Sequence, residues 1–159
     1  MTRFVALDTE TTGLEPLKGH RVIELACVEF IDSKPTGRVF NTRLNPEGKK
    51  SEKKAFSKHK IPDSALLEAP NFKDVLASFI EFITDAHIVA FNADFDMDFM
   101  NSELHRAGHK FTMQSICSDI TCAMALAKAK FELSRVSLDA ACKRYRIDIS
   151  NRTAHSAYI

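Results

Sequence analysis

Two acidic residues two positions apart, Asp8 and Glu10, close a short apolar run, Arg3-Phe4-Val5-Ala6-Leu7. The run reads as a β-strand, and on a strand residues i and i+2 face the same side. Their Cα atoms would lie roughly 6.6–6.8 Å apart. Carboxylates at that spacing repel unless a positive charge lies between them. A hard divalent cation such as Mg²⁺ prefers oxygen ligands and meets that need. Thr11, Thr12 and Gly13 follow, adding hydroxyls and a backbone that allows close approach of a ligand. For D-x-E alone, an acidic strand end in a solvated turn is the plain alternative. The longer D-x-E-T-T-G after an apolar strand is more specific.

Two further groups of residues carry chemistry. Asp94, Asp96 and Asp98 alternate just beyond the apolar run His87–Phe91. A calcium loop is excluded, because the EF-hand pattern needs Gly after the third acidic position and Glu at the twelfth. Phe99 and His105 stand there instead. One of these aspartates can cap a helix N-terminus. Near the end of the chain come S-L-D-x-x-C-x-R-Y-x-I-D (Ser137–Asp148) and then R-T-x-H-x-A, with Arg152, Thr153 and His155. His105 and His109 are four apart but lack H-E-x-x-H, and Gly108 weakens a helix there, so they read as surface residues.

Taken in order, D-x-E-T-T-G, N-A-x-F-D (Asn92–Asp96) and R-T-x-H-x-A resemble the three motifs of the DnaQ-like DEDDh 3′→5′ exonucleases. That family includes the proofreading subunits of bacterial DNA polymerase III. The resemblance runs from Phe4 to Ile159 and implies a ribonuclease H-like α/β fold. It implies metal ligation by Asp8, Glu10 and Asp96, with two Mg²⁺ or Mn²⁺ ions per site. It makes Glu10 and His155 the catalytic pair, His155 as general base for the attacking water. Thr11, Thr12, Leu14 and Asn92 match positions near the terminal nucleotide, and His59 is a further substrate contact. Phe91 stands where the family often has His and reads as core. Asp119 reads as a helix cap.

The implied reaction releases nucleoside monophosphates from a single-stranded or frayed 3′ end of DNA, as in replication proofreading. RNA ends are the alternative substrate, and a replicative DNA polymerase subunit is the implied partner. The family pattern also places an aspartate five residues after its histidine, the position following Ile159. The expectation is therefore a single exonuclease domain over 1–159 that lacks the end of its last helix. One ion would be short of a ligand, and residues 1–159 alone would be poorly active. A catalytically silent nucleic-acid or polymerase-binding module is the reading from a different class. A small-molecule phosphatase would leave N-A-x-F-D and R-T-x-H-x-A unexplained.

The composition fits this frame. The 159 residues suit one domain with a real core. A net charge of +1 means that nucleic-acid binding must come from local patches or bound metal rather than bulk charge. Cys27, Cys117, Cys122 and Cys142 form no C-x-x-C, which argues for reduced thiols and against zinc. No apolar stretch approaches the ~20 residues of a membrane span. With no signal peptide before Asp8, these features point to the cytoplasm.

The positioning elements follow from periodicity. His20–Asp32 and Arg38–Leu44 read as strands joined by a Ser33–Gly37 turn, giving three largely antiparallel strands with the first. Asn45–Lys60, with Lys49, Lys50, Lys53, Lys54, Lys58 and Lys60, reads as a solvated loop, or alternatively as a phosphate-attracting rim. A short helix opens at Pro62, and Asn71 caps a clearer one. His87–Phe91 reads as a buried strand. Helices are expected over Phe95–Ala107, Ser118–Lys130, Ser137–Arg146 and from Thr153 onward. The outcome is a mixed sheet with helices packed on both sides.

Overall fold

The computed structural model describes residues 2–150 and 157. Its elements are β1 (Arg3–Thr11), β2 (Val22–Ile31), β3 (Lys34–Arg43), α1 (Lys53–His59), α2 (Phe72–Ile83), β4 (His87–Ala90), α3 (Ala93–Arg106), α4 (Met113–Ile116), β5 (Asp119–Cys122), α5 (Ala123–Phe131) and α6 (Leu138–Tyr145). The five strands form one sheet in the order β3-β2-β1-β4-β5. β1 pairs antiparallel with β2 and parallel with β4, so it is the central strand and the hinge between the two halves of the sheet. β2 and β3 are antiparallel, and β4 and β5 are parallel. The sheet is therefore mixed, of the ribonuclease H-like type expected.

Alternation on β1 decides what is buried. Val5, Leu7 and Thr9 point inward, while Ala6, Asp8 and Glu10 are more exposed. Val5 and Leu7 join Leu25, Cys27 and Ile88 against Phe72, Phe79, Phe82 and Ile83 of α2 and Met97, Phe99, Met100 and Leu104 of α3. The apolar faces of α2 and α3 thus cover one side of the sheet. α2 starts where Asn71 N donates to the Asp74 carboxylate at 3.0 Å. α3 ends at Arg106, capped by Ala107 and followed by Gly108, whose φ of +78° is open to glycine at little cost.

Several boundaries differ from the sequence reading. β1 carries Asp8 and Glu10 on the strand, as their i and i+2 spacing requires, and runs on to Thr11. The β2–β3 turn is Asp32-Ser33, both at positive φ (48° and 66°). A two-residue turn of that kind matches strand twist better than the Ser33–Gly37 turn expected. Pro35 and Gly37 lie inside β3, which is tolerated because β3 is an edge strand. The lysine-rich stretch is not simply a loop, since Lys53–His59 is helical. The helix expected from Ser118 begins only at Ala123, because residues 119–122 form β5 beside β4. Asp119 is accordingly a strand residue, its Oδ1 accepting from Ile120 N at 2.8 Å, and not a helix cap. The helix expected from Thr153, with His155, lies outside the described residues. All four cysteines are free thiols. Among the described residues no helix is long and apolar enough to cross a membrane.

Candidate active site

The site sits where β1 and β4 end together. The parallel register Ala6↔Val89 carries both strands toward the same edge. β4 then passes through Phe91 and Asn92 directly into α3. That short connection sets Asp96, in the first turn of α3, against the active end of β1. A register irregularity between Glu10 and Thr11 re-aims the chain at this edge. Asp8, Thr9, Glu10, Thr11, Gly13 and Leu14 from β1 and its loop line one cleft of about 320 Å³. Ala55, Lys58 and His59 of α1 line it as well, with Phe91, Asn92, Phe95, Asp96 and Leu138. A cleft of that size is within the usual range for small-ligand sites.

Asp96 is only 3 % exposed. The Thr9 hydroxyl donates to its Oδ1 at 2.8 Å. Burial, followed by the negative charge of Asp8, pushes the Asp96 carboxyl up to about 7, against the pull of the Thr9 hydrogen bond. A buried carboxyl beside a second carboxylate is costly to ionise, and a cation between them removes the cost. The donors are all carboxylate oxygens with no thiol, which suits a hard divalent ion such as Mg²⁺ or Mn²⁺. The residues therefore fit the metal that the resemblance implies. Among the described residues, no three His, Cys, Asp or Glu side chains close into a finished metal cage.

The expected substrate residues do not all play the same part. Thr11, Leu14, Asn92 and His59 line the cleft. Leu14 is 66 % exposed there, unusual for a leucine that serves only the core. The Thr11 hydroxyl donates to Gly13 O at 2.7 Å, tightening the loop. Thr12 differs from the expectation. Fully buried, it does not line the cleft, and its hydroxyl accepts from Arg21 N (3.0 Å) and meets His20 Nδ1 (3.0 Å). Its side chain braces the loop. His59 is 4 % exposed; its Nδ1 accepts from Ile61 N at 3.0 Å, while its Nε2 has no partner among the described residues. Burial holds this imidazole below its ordinary range. Of the neighbouring aspartates, Asp98 lines a different depression, with Leu17 and His105.

The sequence reading missed the groups that brace the site. Arg21 and Glu103 form a buried two-pronged pair, Nε to Oε1 at 2.8 Å and Nη2 to Oε2 at 2.9 Å. Val22 N adds a bond to Glu103 Oε1 at 3.1 Å. This pair ties the start of β2 to α3 and hence to the helix that carries Asp96. His20 Nε2 meets Glu52 at 3.0 Å, clamping the residue before α1 to the loop after β1. Nothing in local periodicity marks these pairs, since their partners are far apart in sequence.

Fold and site together define a nuclease of the ribonuclease H-like exonuclease class. The family described as Exonuclease (RNase_T) matches residues 5–158, and the chain belongs to it. DNA polymerase III subunit epsilon of Salmonella typhimurium is 39 % identical over 163 residues, covering 100 % of this chain and 67 % of that protein. The same subunit of Escherichia coli is 37 % identical with the same coverage. In three dimensions the chain resembles E. coli exonuclease I bound to single-stranded DNA in a zinc-ion form, with a TM-score of 0.84 at 16 % identity. That match covers 99 % of this chain and 37 % of exonuclease I, so the chain spans a little over a third of that protein. Exonuclease X, solved with 5′-overhanging duplex DNA, gives 0.68 at 21 % identity, over 98 % of this chain and 81 % of that one.

Proposed function

We propose that residues 1–159 fold as one exonuclease domain that hydrolyses the terminal phosphodiester at a DNA 3′ end, as in proofreading. The observation that carries this reading is the convergence of Asp8, Glu10 and the buried Asp96 on one cleft. Similarity to the epsilon subunits supports the proofreading role and a replicative polymerase subunit as partner.

Asp8, Glu10 and Asp96 would hold the divalent ions, Mg²⁺ or Mn²⁺, two per site. When bound, such ions supply charge neutralisation at the attacking and leaving oxygens. Glu10 orients the attacking water. His155 takes the proton from that water, and must be neutral to do so, so the rate rises as pH passes the imidazole pKa. The water oxygen bonds to phosphorus, and the bond to the 3′ oxygen of the preceding nucleotide breaks. The products are a nucleoside 5′-monophosphate and a strand one residue shorter. Leu14 wedges against the terminal base, Thr11 and Asn92 border the nucleotide, and the unpaired His59 Nε2 meets a polar atom of it. Thr12 serves by fixing the loop.

The test is product polarity. The chain is incubated with 5′-labelled single-stranded DNA and Mg²⁺ or Mn²⁺, in parallel with EDTA and with the matching RNA. A metal-dependent ladder shortening from the 3′ end, with mononucleotide release, is expected. Internal cuts, loss of the 5′ label as a mononucleotide, or a ladder that survives EDTA would overturn the reading.

A further inference from the structure

Helix α1 is held rigidly beside the cleft. Glu52 N donates to Thr12 O at 2.8 Å, and the Glu52 carboxylate pairs with His20. His59 at the far end of the helix is buried, and Ile61 just beyond it packs with Ile23 and Leu66. What this rigid segment presents outward is charge of one sign. Lys53, Lys54, Lys58 and Lys60 fall within residues 53–60, which contain no acidic residue. Among the described residues none of Lys50, Lys53, Lys54 and Lys58 pairs with a carboxylate, whereas Lys18 pairs with Glu15 and Arg21 with Glu103 and Glu47. Lys58 lines the same cleft as Asp8, Glu10 and Asp96. Lys54 lies one turn behind it on the same side of the helix, a rise of ~6 Å.

A polyanion approaching three carboxylates is repelled. Fixed, unneutralised cations at the rim offset that repulsion and favour a chain of phosphates over a single one. We propose that α1 is a phosphate rail, on which Lys58 and then Lys54 hold backbone phosphates of the nucleotides 5′ to the one being removed. The direction of the strand on the rail rests on the exonuclease reading above; the phosphate binding does not.

The test is the salt dependence of binding. Anisotropy of a fluorescent oligothymidylate is measured with the chain in EDTA, where no cleavage occurs, for wild type and the Lys54→Gln/Lys58→Gln double variant. Each phosphate neutralised on a single strand contributes about 0.7 to the slope of log K against log salt. The double variant should therefore lower the slope by about 1.4. The wild-type advantage in affinity should shrink about 7-fold between 50 and 200 mM salt. Lys54→Arg/Lys58→Arg should keep the wild-type slope, as should Lys34→Gln/Lys73→Gln, exposed lysines on β3 and α2. An unchanged slope in the Gln double variant overturns the rail. So does an equal drop in the Lys34/Lys73 control, or no measurable binding by wild type. Failure of the metal-dependent ladder would count instead against the exonuclease reading and leave the slope comparison standing.

Discussion

The Arg21–Glu103 pair is where sequence-distant packing controls the site, and Glu103→Gln isolates it. Glu103 is 1 % exposed and Arg21 8 %. The substitution keeps the shape but removes the charge that Arg21 faces. Removing one partner of a buried pair typically costs about 3–5 kcal/mol, because the other charge is left buried and uncompensated. Here Arg21 keeps a second carboxylate, Glu47, at 2.9 Å, itself half exposed. That residual partner places the cost near the lower end, about 3 kcal/mol. In a domain of this size 1 kcal/mol corresponds to roughly 2–4 °C in melting temperature. A drop of about 6–12 °C is expected by calorimetry or circular dichroism. The double replacement Arg21→Met/Glu103→Leu should recover part of the loss, since an apolar pair of similar volume removes both desolvation costs but leaves Val22 N without its acceptor. A Glu103→Gln melting point within 2 °C of wild type would show that the pair does not hold β2 to α3.

Other consequences can be checked in the same way. Gly13→Ala would set a Cβ about 2.5 Å from the His20 ring, which is wedged between Thr12 and Glu52. The crowding should cost about 1–3 kcal/mol and lower activity, read by melting and by nuclease rate. Asp96→Asn should reduce metal-dependent cleavage at least about 100-fold, the upper end seen for groups that only support a ligand. Glu29 is held below the ordinary glutamate value of 4.5, first by its hydrogen bond from Arg3 and then by Thr36 and Arg38. A carboxylate with a depressed folded-state pKa stabilises the fold above its unfolded value. That contribution fades as pH falls through the folded one. The stability gap between wild type and Glu29→Gln should therefore be flat near neutrality and narrow below pH 4.5, as followed by urea unfolding.

The chemistry was more legible than its supports. Asp8 and Glu10 stand out because strand alternation alone puts them on one face, whereas Asp96 was separated from Asp94 and Asp98 only by the resemblance of N-A-x-F-D to a family motif. The antiparallel first half of the sheet was also readable from apolar runs separated by turn residues. β5 was not, because four residues, Asp119–Cys122, carry too little pattern to outvote the helix that follows. Only pairing with β4 makes them a strand. α1 hid behind its lysines, since what fixes it are buried His59 and Ile61 and the Glu52–His20 pair, all tertiary contacts. The burial of Thr12 was hidden for a related reason. Its neighbours in sequence face the cleft, but its hydroxyl is claimed by Arg21 N and His20 across the loop.

The central claim is that Asp8, Glu10 and Asp96 together form a divalent-cation site, and calorimetric titration of Mn²⁺ into wild type and Asp96→Asn tests it most directly. Wild type should bind saturably, and binding should be lost, or weakened at least about 10-fold, in the variant, at unchanged folded content. Equal Mn²⁺ affinity in the two proteins would contradict it.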